Sequence, residues 1–261
     1  KDKYGIMLVD EFNPTGDITT YPGRSSVEES YNWVLNEANQ ALSLLGSYPG
    51  VVGSEELTVD VVKAFKARLA LYMGKYDEAI TLSTSLVDGG KYPLCASQAE
   101  MTALWTNDSG QECIMQLFSD NNSTPSTNDP SYLGYNPSNG QYRPDWIPNV
   151  WVAKNLYSTS DLRFKTWFKT GLKVTCSLGT ASGMTLMDKF PGNTTLATSA
   201  TAHLNKIKPF RIAEQYLIAA YAFARKGGAD AAAQLYLDKL GEKRDPSYHA
   251  VTATGDALLE I

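Results

Sequence analysis

Aromatic and amide side chains are concentrated in residues 121–150, whose composition argues against regular structure. The stretch contains six asparagines and five of the chain's 12 prolines, so we expect neither a long helix nor a central strand there. Flat aromatic rings can stack on the apolar C–H face of a ring-shaped ligand, and amide or guanidinium groups can hydrogen-bond its hydroxyls. The stretch therefore predicts a binding surface for a neutral, hydroxyl-rich ligand.

The candidate binding residues fall into aromatic platforms and polar contacts. The platforms are Tyr132, Tyr135, Tyr142 and Trp146, and the polar contacts are Asn128, Asn136, Asn139, Gln141 and Arg143. In an alternative interpretation, the same rings anchor the segment onto neighbouring helices. We expect Trp105 and Trp151 in the core, and Asp161 and Arg163 to form a structural ion pair.

Residue types that usually carry catalysis or bind metals are scarce. The two histidines, His203 and His249, are far apart. The sequence has no metalloprotease, phosphate-loop, dinucleotide-binding or serine-hydrolase motif. Its three cysteines lack zinc-knuckle spacing, and we expect all of them to be buried: Cys95, Cys113 and Cys176. We therefore predict no catalytic residue, no metal site and no cofactor.

Charge and hydropathy exclude two further classes of function. Lys and Arg number 23 against 28 Asp and Glu, which gives a net charge of −5. Such a chain has no broad positive field to attract nucleic acid or anionic lipid. The longest apolar stretch, near residues 216–224, is far shorter than the roughly 20 residues that cross a bilayer. We expect no nucleic-acid partner and no membrane span within this sequence.

Helical periodicity predicts two pairs of antiparallel helices flanking a less regular region. The first helix should begin at Ser25 or Ser26, where Ser25 and Glu28 fit a capping box and Glu29 offers the alternative register, and should end at Gly46. Helices from Thr58 to Gly74 and from Asp77 to residue 88 should form one hairpin. The strongest helix is expected over 211–225, followed by a partner helix over 230–240.

The two predicted hairpins share a repeat-like pattern. Residues 74–80 (GKYDEAI) match the inter-helix signature of a tetratricopeptide repeat. Small residues should recur 12 positions apart, as Ala67 and Ala79 do, to allow close helix contact. The same spacing in the second hairpin selects Ala220 and Ala232. Between the hairpins, the sequence predicts a strand over 112–118, a helix after Pro148 and a β-hairpin within 164–190, and a last short helix should begin near Thr254.

Several stretches in order along the chain resemble the SusD/RagB family of surface glycan-binding lipoproteins from Gram-negative bacteria. They are residues 24–31 (RSSVEESY), 62–79 (VKAFKARLALYMGKYDEA), 90–94 (GKYPL), 157–164 (YSTSDLRF), 208–218 (KPFRIAEQYLI) and 256–261 (DALLEI). Family members are usually longer and often carry an acidic residue where this chain has Ala220 and Tyr221. The chain therefore resembles a partial or divergent member.

The resemblance implies a mainly α fold in which tetratricopeptide-like hairpins hold a long irregular insertion with a short β-hairpin. It implies one SusD-like domain over 1–261, with helical hairpins in 25–90 and 209–261 and the ligand side in 91–208. It also implies non-catalytic binding of a polysaccharide or oligosaccharide at the outer membrane. The implied partner is a SusC-like TonB-dependent transporter, and the lipid anchor would belong to the full-length precursor.

Two other functions stay open from sequence. A helical-repeat scaffold would grip a peptide in a concave basic or apolar groove. A divergent carbohydrate-active enzyme would place two carboxylates about 5–10 Å apart in an aromatic-lined cleft.

Overall fold

The computed structural model describes residues 4–12, 16–120, 133–136, 138–196 and 204–260. Within these ranges the helices are α1 Val27–Leu45, α2 Val59–Tyr72, α3 Tyr76–Asp88, α4 Gln98–Thr106, α5 Val150–Asn155, α6 Leu162–Trp167, α7 Ile212–Lys226 and α8 Asp230–Arg244. The strands are β1 Cys113–Met115, β2 Tyr135–Asn136, β3 Gln141–Tyr142, β4 Phe168–Cys176, β5 Gly179–Met187 and β6 Phe210–Arg211. The mainly helical fold predicted above is confirmed, although the last expected helix is a 3₁₀ segment, Gly255–Glu260.

The long helices begin where side chains cap them. The Ser26 hydroxyl accepts a hydrogen bond from the Glu29 amide, and the Glu29 carboxylate accepts one from the Ser26 amide. The Ser25–Glu28 register is therefore wrong, because the Ser25 hydroxyl donates instead to the Ile6 carbonyl at 2.7 Å. Thr58 caps α2 as predicted, since its hydroxyl accepts from the Val61 amide. Each cap satisfies a backbone donor that the first helical turn leaves without a partner.

The two helical hairpins pack against each other through alanines. Ala67 on α2 and Ala79 on α3 are fully buried, as the repeat pattern predicts. They lie in one cluster with Ile218 and Ala222 of α7, and this places the first hairpin against the second. In the second hairpin, Ala220 is buried as expected. The choice of Ala232 was wrong by one position, because Ala233 is the fully buried residue of α8.

The strands form two separate sheets within the described residues. β1 and β6 pair antiparallel, and this pairing joins segments that are about 100 residues apart in the sequence. The paired strands lie beside α7. The second sheet has the order β2-β3-β4-β5. In it, β4 and β5 form the predicted hairpin, whereas the small β2–β3 hairpin was not predicted.

Four other local predictions can be compared with the structure. Trp105 is buried, and Asp161 pairs with Arg163 at 2.7 Å, as expected. Trp151 was expected in the core but is 59% exposed, because α5 is only six residues long and its neighbour Val150 is exposed as well. Cys95 and Cys113 are buried, whereas Cys176 is exposed at the tip of the β4–β5 hairpin.

Candidate functional site

The β2–β3 hairpin places two of the predicted aromatic platforms side by side. Tyr135 pairs with Tyr142 across the antiparallel ladder, and Asn136 pairs with Gln141. The turn ends at Gly140, whose φ of 65° lies in the left-handed region that glycine adopts without strain. The chain therefore turns back within a few residues and brings both tyrosines to one face.

The two tyrosine rings form a partly open aromatic surface, which we call the tyrosine shelf. Their centroids are 4.8 Å apart with an angle of 40° between the ring planes. Tyr135 is 53% exposed, whereas Tyr142 is partly buried. One ring thus faces solvent while the other packs beneath it, which gives a ligand a fixed apolar surface to contact.

The shelf is supported from below by the β4–β5 hairpin. Tyr142 pairs in parallel with Val174 of β4, and it packs on a small cluster in which Leu133, Val174 and Leu186 are buried. The Thr175 hydroxyl donates to the Gln141 side-chain carbonyl at 2.6 Å. These contacts fix the position of the short strands, which two-residue ladders alone would not hold.

A close backbone approach sets the edge of the shelf. The Arg143 amide donates to the Gly134 carbonyl at 2.9 Å, which extends the ladder by one pair. A β-carbon at Gly134 would lie 2.1 Å from the Arg143 carbonyl oxygen, and its φ is +56°. Only glycine fits this position, so the glycine of the sequence Leu-Gly-Tyr is required for the backbone geometry of the shelf.

The polar candidates have different roles in the structure. The Asn139 side chain accepts from the Gln141 amide, so its carbonyl oxygen serves the turn. Gln141 is engaged by Thr175, as described above. The Arg143 side chain is exposed, and within the described residues its guanidinium has no hydrogen-bond or ion-pair partner. Judged by the described contacts, Arg143 is therefore the candidate whose side-chain donors are available to a ligand.

The remaining candidates are not joined to the shelf by the described contacts. Trp146 is 82% exposed, and Ile147, Val150 and Trp151, which lie close to it in sequence, are exposed as well. In the described ranges its ring makes no aromatic contact with either tyrosine. Tyr132 and Asn128, together with the side chain of Asn136, lie outside the described residues. The structure thus brings together Tyr135 and Tyr142, and their role in binding stays a prediction.

The described residues contain neither a metal-binding cluster nor a membrane-spanning helix. Over the ranges that the structure covers, no group of three His, Cys, Asp or Glu side chains could hold a metal ion. None of the helices described above combines the length and the apolarity needed to cross a bilayer. Aromatic rings in the described part of the chain also contact cationic side chains. At Trp105, three basic side chains lie close to the indole ring.

Sequence reasoning missed the residues that support the shelf. Val174, Thr175 and Leu186 were assigned only to a β-hairpin, with no link to residues 135–142. A two-residue strand has no periodicity to detect, and the parallel pairing of β3 with β4 has no local sequence signal. The usable signals were Gly134 and the Asn139-Gly140 pair, which is a typical turn sequence.

Comparison with known proteins connects this geometry to solved structures. No protein-family profile matches the chain, and no curated protein matches it either. A SusD superfamily protein from Bacteroides thetaiotaomicron superposes with a TM-score of 0.71 at 23% identity, over 94% of this chain and 53% of that one. The surface glycan-binding protein A of Bacteroides uniformis gives 0.69 at 15% identity, over 98% of this chain and 57% of that one.

A third structure carries a name that refers to a ligand. The putative sugar-binding protein of Bacteroides vulgatus gives a TM-score of 0.71 at 21% identity, over 98% of this chain and 54% of that one. The chain thus spans about half the length of the solved structures that it matches. At these identities the likeness is one of fold.

Proposed function

We propose that this chain, whose fold is that of the SusD superfamily, binds a polysaccharide or oligosaccharide without catalysing its cleavage. The observation that carries the proposal is the tyrosine shelf, in which an exposed ring at Tyr135 rests on Tyr142 at 4.8 Å. A pyranose ring presents apolar C–H groups to such a surface, and its hydroxyls can accept from the exposed guanidinium of Arg143. The names of the glycan- and sugar-binding proteins of similar fold support the proposal.

Loss of the exposed rings tests the proposal directly. We expect Tyr135→Ala and Trp146→Ala each to weaken binding of a retained polysaccharide about 2- to 10-fold, because one stacked ring contributes about 0.5–1.5 kcal/mol. Affinity electrophoresis against a panel of neutral polysaccharides selects the ligand, and calorimetry then measures the affinity. Alanine at Gly134 should also weaken binding, since the β-carbon would displace the Arg143 carbonyl.

A matched control is available on the helical side. Tyr72 of α2 is 70% exposed and does not belong to the tyrosine shelf. Tyr72→Ala should leave polysaccharide retention unchanged. If Tyr135→Ala does not weaken binding of any polysaccharide that the parent chain retains, the shelf is not the binding site, and Trp146→Ala tests the exposed tryptophan separately.

The proposal extends to the cell surface. By fold analogy, the full-length protein is held at the outer membrane by a lipid anchor and passes its glycan to a SusC-like TonB-dependent transporter. The expected result is co-purification of the full-length protein with a SusC-like transporter. Release of the protein from whole cells by external protease would support surface exposure.

A peptide-binding groove is the second candidate, because the helical hairpins form an apolar groove. This groove has a cavity of about 290 Å³ between α2 and α7, and its lining includes Leu71, Tyr72, Leu217, Tyr221 and Leu258. Among the described lining residues the one carboxylate is Glu214, which pairs with Arg68 at 2.5 Å. Because Tyr72 lines this groove, Tyr72→Ala should weaken the binding of a peptide partner, and this separates the two functions.

A further inference from the structure

A second cavity lies at the opposite end of the β4–β5 hairpin from the tyrosine shelf. It has a volume of about 300 Å³, and its lining includes Trp105, Lys189, Phe190, Lys206, Lys208 and Arg211. Tyr142 pairs near the hairpin tip, at Val174, whereas Lys189 follows Met187, the partner of Phe168 at the hairpin base. Val174 and Phe168 are six positions apart on β4, which corresponds to roughly 20 Å along the strand. We call this second cavity the basic cavity.

The charges around the basic cavity do not balance. Three carboxylates form ion pairs with basic side chains in this region. Glu55 pairs with Lys206, Asp108 with Lys208, and Glu112 with both Arg211 and Arg244. Asp188 is adjacent in sequence to Lys189, but its carboxylate pairs with Lys169 at 2.5 Å. Of the four cations that line the cavity, Lys206, Lys208 and Arg211 each pair with one of these carboxylates, whereas no carboxylate of the described residues pairs with Lys189.

Within the described part of the chain, the partners of the Lys189 ammonium are aromatic rings. Its ammonium lies 4.6 Å from the centroid of Trp105, 4.4 Å from that of Trp167 and 5.7 Å from that of Phe190. Burial, with Arg211 and Lys208 nearby, lowers the pKa of its ammonium to about 8. The lysine is therefore protonated at neutral pH in a place that would favour an added negative charge.

The aromatic lining gives the basic cavity an apolar wall as well. Phe190 is 43% exposed, and Ile207 beside it is 61% exposed. The buried indole N–H of Trp105 has no hydrogen-bond acceptor in the described part of the chain. An apolar wall with an unpaired cation suits a ligand that carries a negative group on a largely apolar ring face.

We propose that the basic cavity is a subsite for an acidic saccharide, in which Lys189 binds a carboxylate or sulfate substituent. The preference for an anion stands on the charges of the cavity, whereas the sugar identity of the ligand rests on the proposed function. Arg211 and Lys206, whose side chains are 22% and 21% exposed, supply further donors at the cavity wall. The Lys189 ammonium binds the substituent because no carboxylate of the described residues is paired with it.

The experiment compares charged and neutral forms of one sugar at pH 7 and low salt. The probes are D-galacturonate, D-galactose 6-sulfate and D-galactose, and binding is measured by tryptophan fluorescence and calorimetry. We expect one charged sugar to bind at least about tenfold more tightly than galactose, because a charge-assisted hydrogen bond is the stronger kind. The charged sugar that binds more tightly identifies the substituent.

Three variants make the result specific to Lys189. Lys189→Gln should remove the advantage of the charged sugar, and Lys189→Arg should retain most of it. Lys243→Gln removes the same charge from an exposed position at the end of α8 and should change nothing. Thermal unfolding of each variant confirms that it is folded.

Two outcomes would overturn the proposal. One is equal binding of charged and neutral sugars by the parent chain, and the other is a charged-sugar advantage that Lys189→Gln retains. Failure of the tyrosine shelf is a separate result, because Tyr135→Ala should leave the charged-sugar advantage intact even if neutral polysaccharides never bind.

Discussion

Lys189 carries a positive charge where its surroundings disfavour one. Its ammonium is partly buried among Trp105, Trp167 and Phe190, with Arg211 and Lys208 as the nearby charges. Cation–π contacts offset part of this cost, whereas no carboxylate among the residues that the structure describes does so. A side chain that destabilises the fold is retained most readily where it serves binding.

The stability of the protein should therefore depend on pH through Lys189. The unfolded lysine titrates near its ordinary value of 10.5, whereas in the folded state the pKa is about 8. Below pH 8 the lysine is protonated in both states, so the charged side chain destabilises the folded state by its full amount. Between about pH 8 and 10.5 the folded state loses the proton before the unfolded state does, so this destabilisation becomes smaller as pH rises. We expect Lys189→Met to stabilise the chain by about 1–3 kcal/mol at pH 7, and by less at pH 10.

Urea unfolding at both pH values measures this difference. Lys243→Met, at an exposed site, serves as the control and should show no such pH dependence. A Lys189→Met variant that is equally stable to the parent at pH 7 would contradict the prediction.

Single residues were predictable where their surroundings are local. Trp105 and the Asp161–Arg163 pair follow from neighbours in sequence, and the exposure of Tyr135 follows from its polar, proline-rich segment. Trp151 was misplaced because an apolar helical pattern does not reveal that a six-residue helix packs loosely. Lys189 was missed because its partners come from α4, α6 and the residue after it, and no spacing links them.

At the scale of elements, alanines determine how closely the helices approach. Ala67, Ala79 and Ala222 are fully buried in the cluster that joins α2, α3 and α7. Well-packed interfaces of this kind have no room for added methylene groups. The close contact between the two hairpins thus depends on the absence of larger side chains.

A larger residue at Ala79 should separate these helices. We expect Ala79→Leu to lower the free energy of unfolding by about 1–3 kcal/mol, the usual cost of overpacking. Ala231→Leu, on the exposed side of α8, should change it by less than about 0.5 kcal/mol. Urea unfolding compares the two, and equal effects of both substitutions would contradict the role given to the interface.

Elements with strong end signals were predictable, and the shortest ones were not. Thr58, Ser26 and the repeat-like Gly74 segment define α1 to α3 almost to the residue. α4 was missed although Ser97 and Glu100 form a capping box, because its apolar residues give little helical contrast over nine positions. β2 and β3 are two residues each, so pairing with β4 rather than local preference creates them.

Across the whole molecule, one buried carboxylate joins distant segments. Glu112 is fully buried and pairs with Arg244 of α8 at 2.6 Å and with Arg211 of β6 at 3.3 Å. It also accepts from the Cys95 amide at 2.7 Å. The side chain of Glu112 thus connects β6, α8 and the segment before α4.

Removal of this carboxylate should be severe. Glu112→Ala leaves Arg244 buried without its partner, and we expect a loss of about 3–5 kcal/mol in the free energy of unfolding. Asp77→Ala breaks the exposed pair with Lys226 and should cost less than about 1 kcal/mol. Chemical denaturation of both variants tests the contrast, and a small effect of Glu112→Ala would show that the network contributes little to stability.

Such long-range joins set the limit of sequence reasoning. Cys113 and Arg211, which are 98 positions apart in the sequence, pair across β1 and β6, and neither segment carries a signal for the other. The overall fold was predictable because it follows from the ordered stretches that resemble a known family. The basic cavity was not, because it exists only after these distant segments meet.

The exposed thiol at the tip of the β4–β5 hairpin gives the protein a natural labelling position. Burial raises the pKa of the other two cysteines, Cys95 and Cys113, so a maleimide dye finds its accessible, reactive target at Cys176. That residue stands two positions after Val174, the ladder partner of Tyr142. A fluorophore attached there would sit beside the tyrosine shelf and could follow ligand arrival without any engineered substitution.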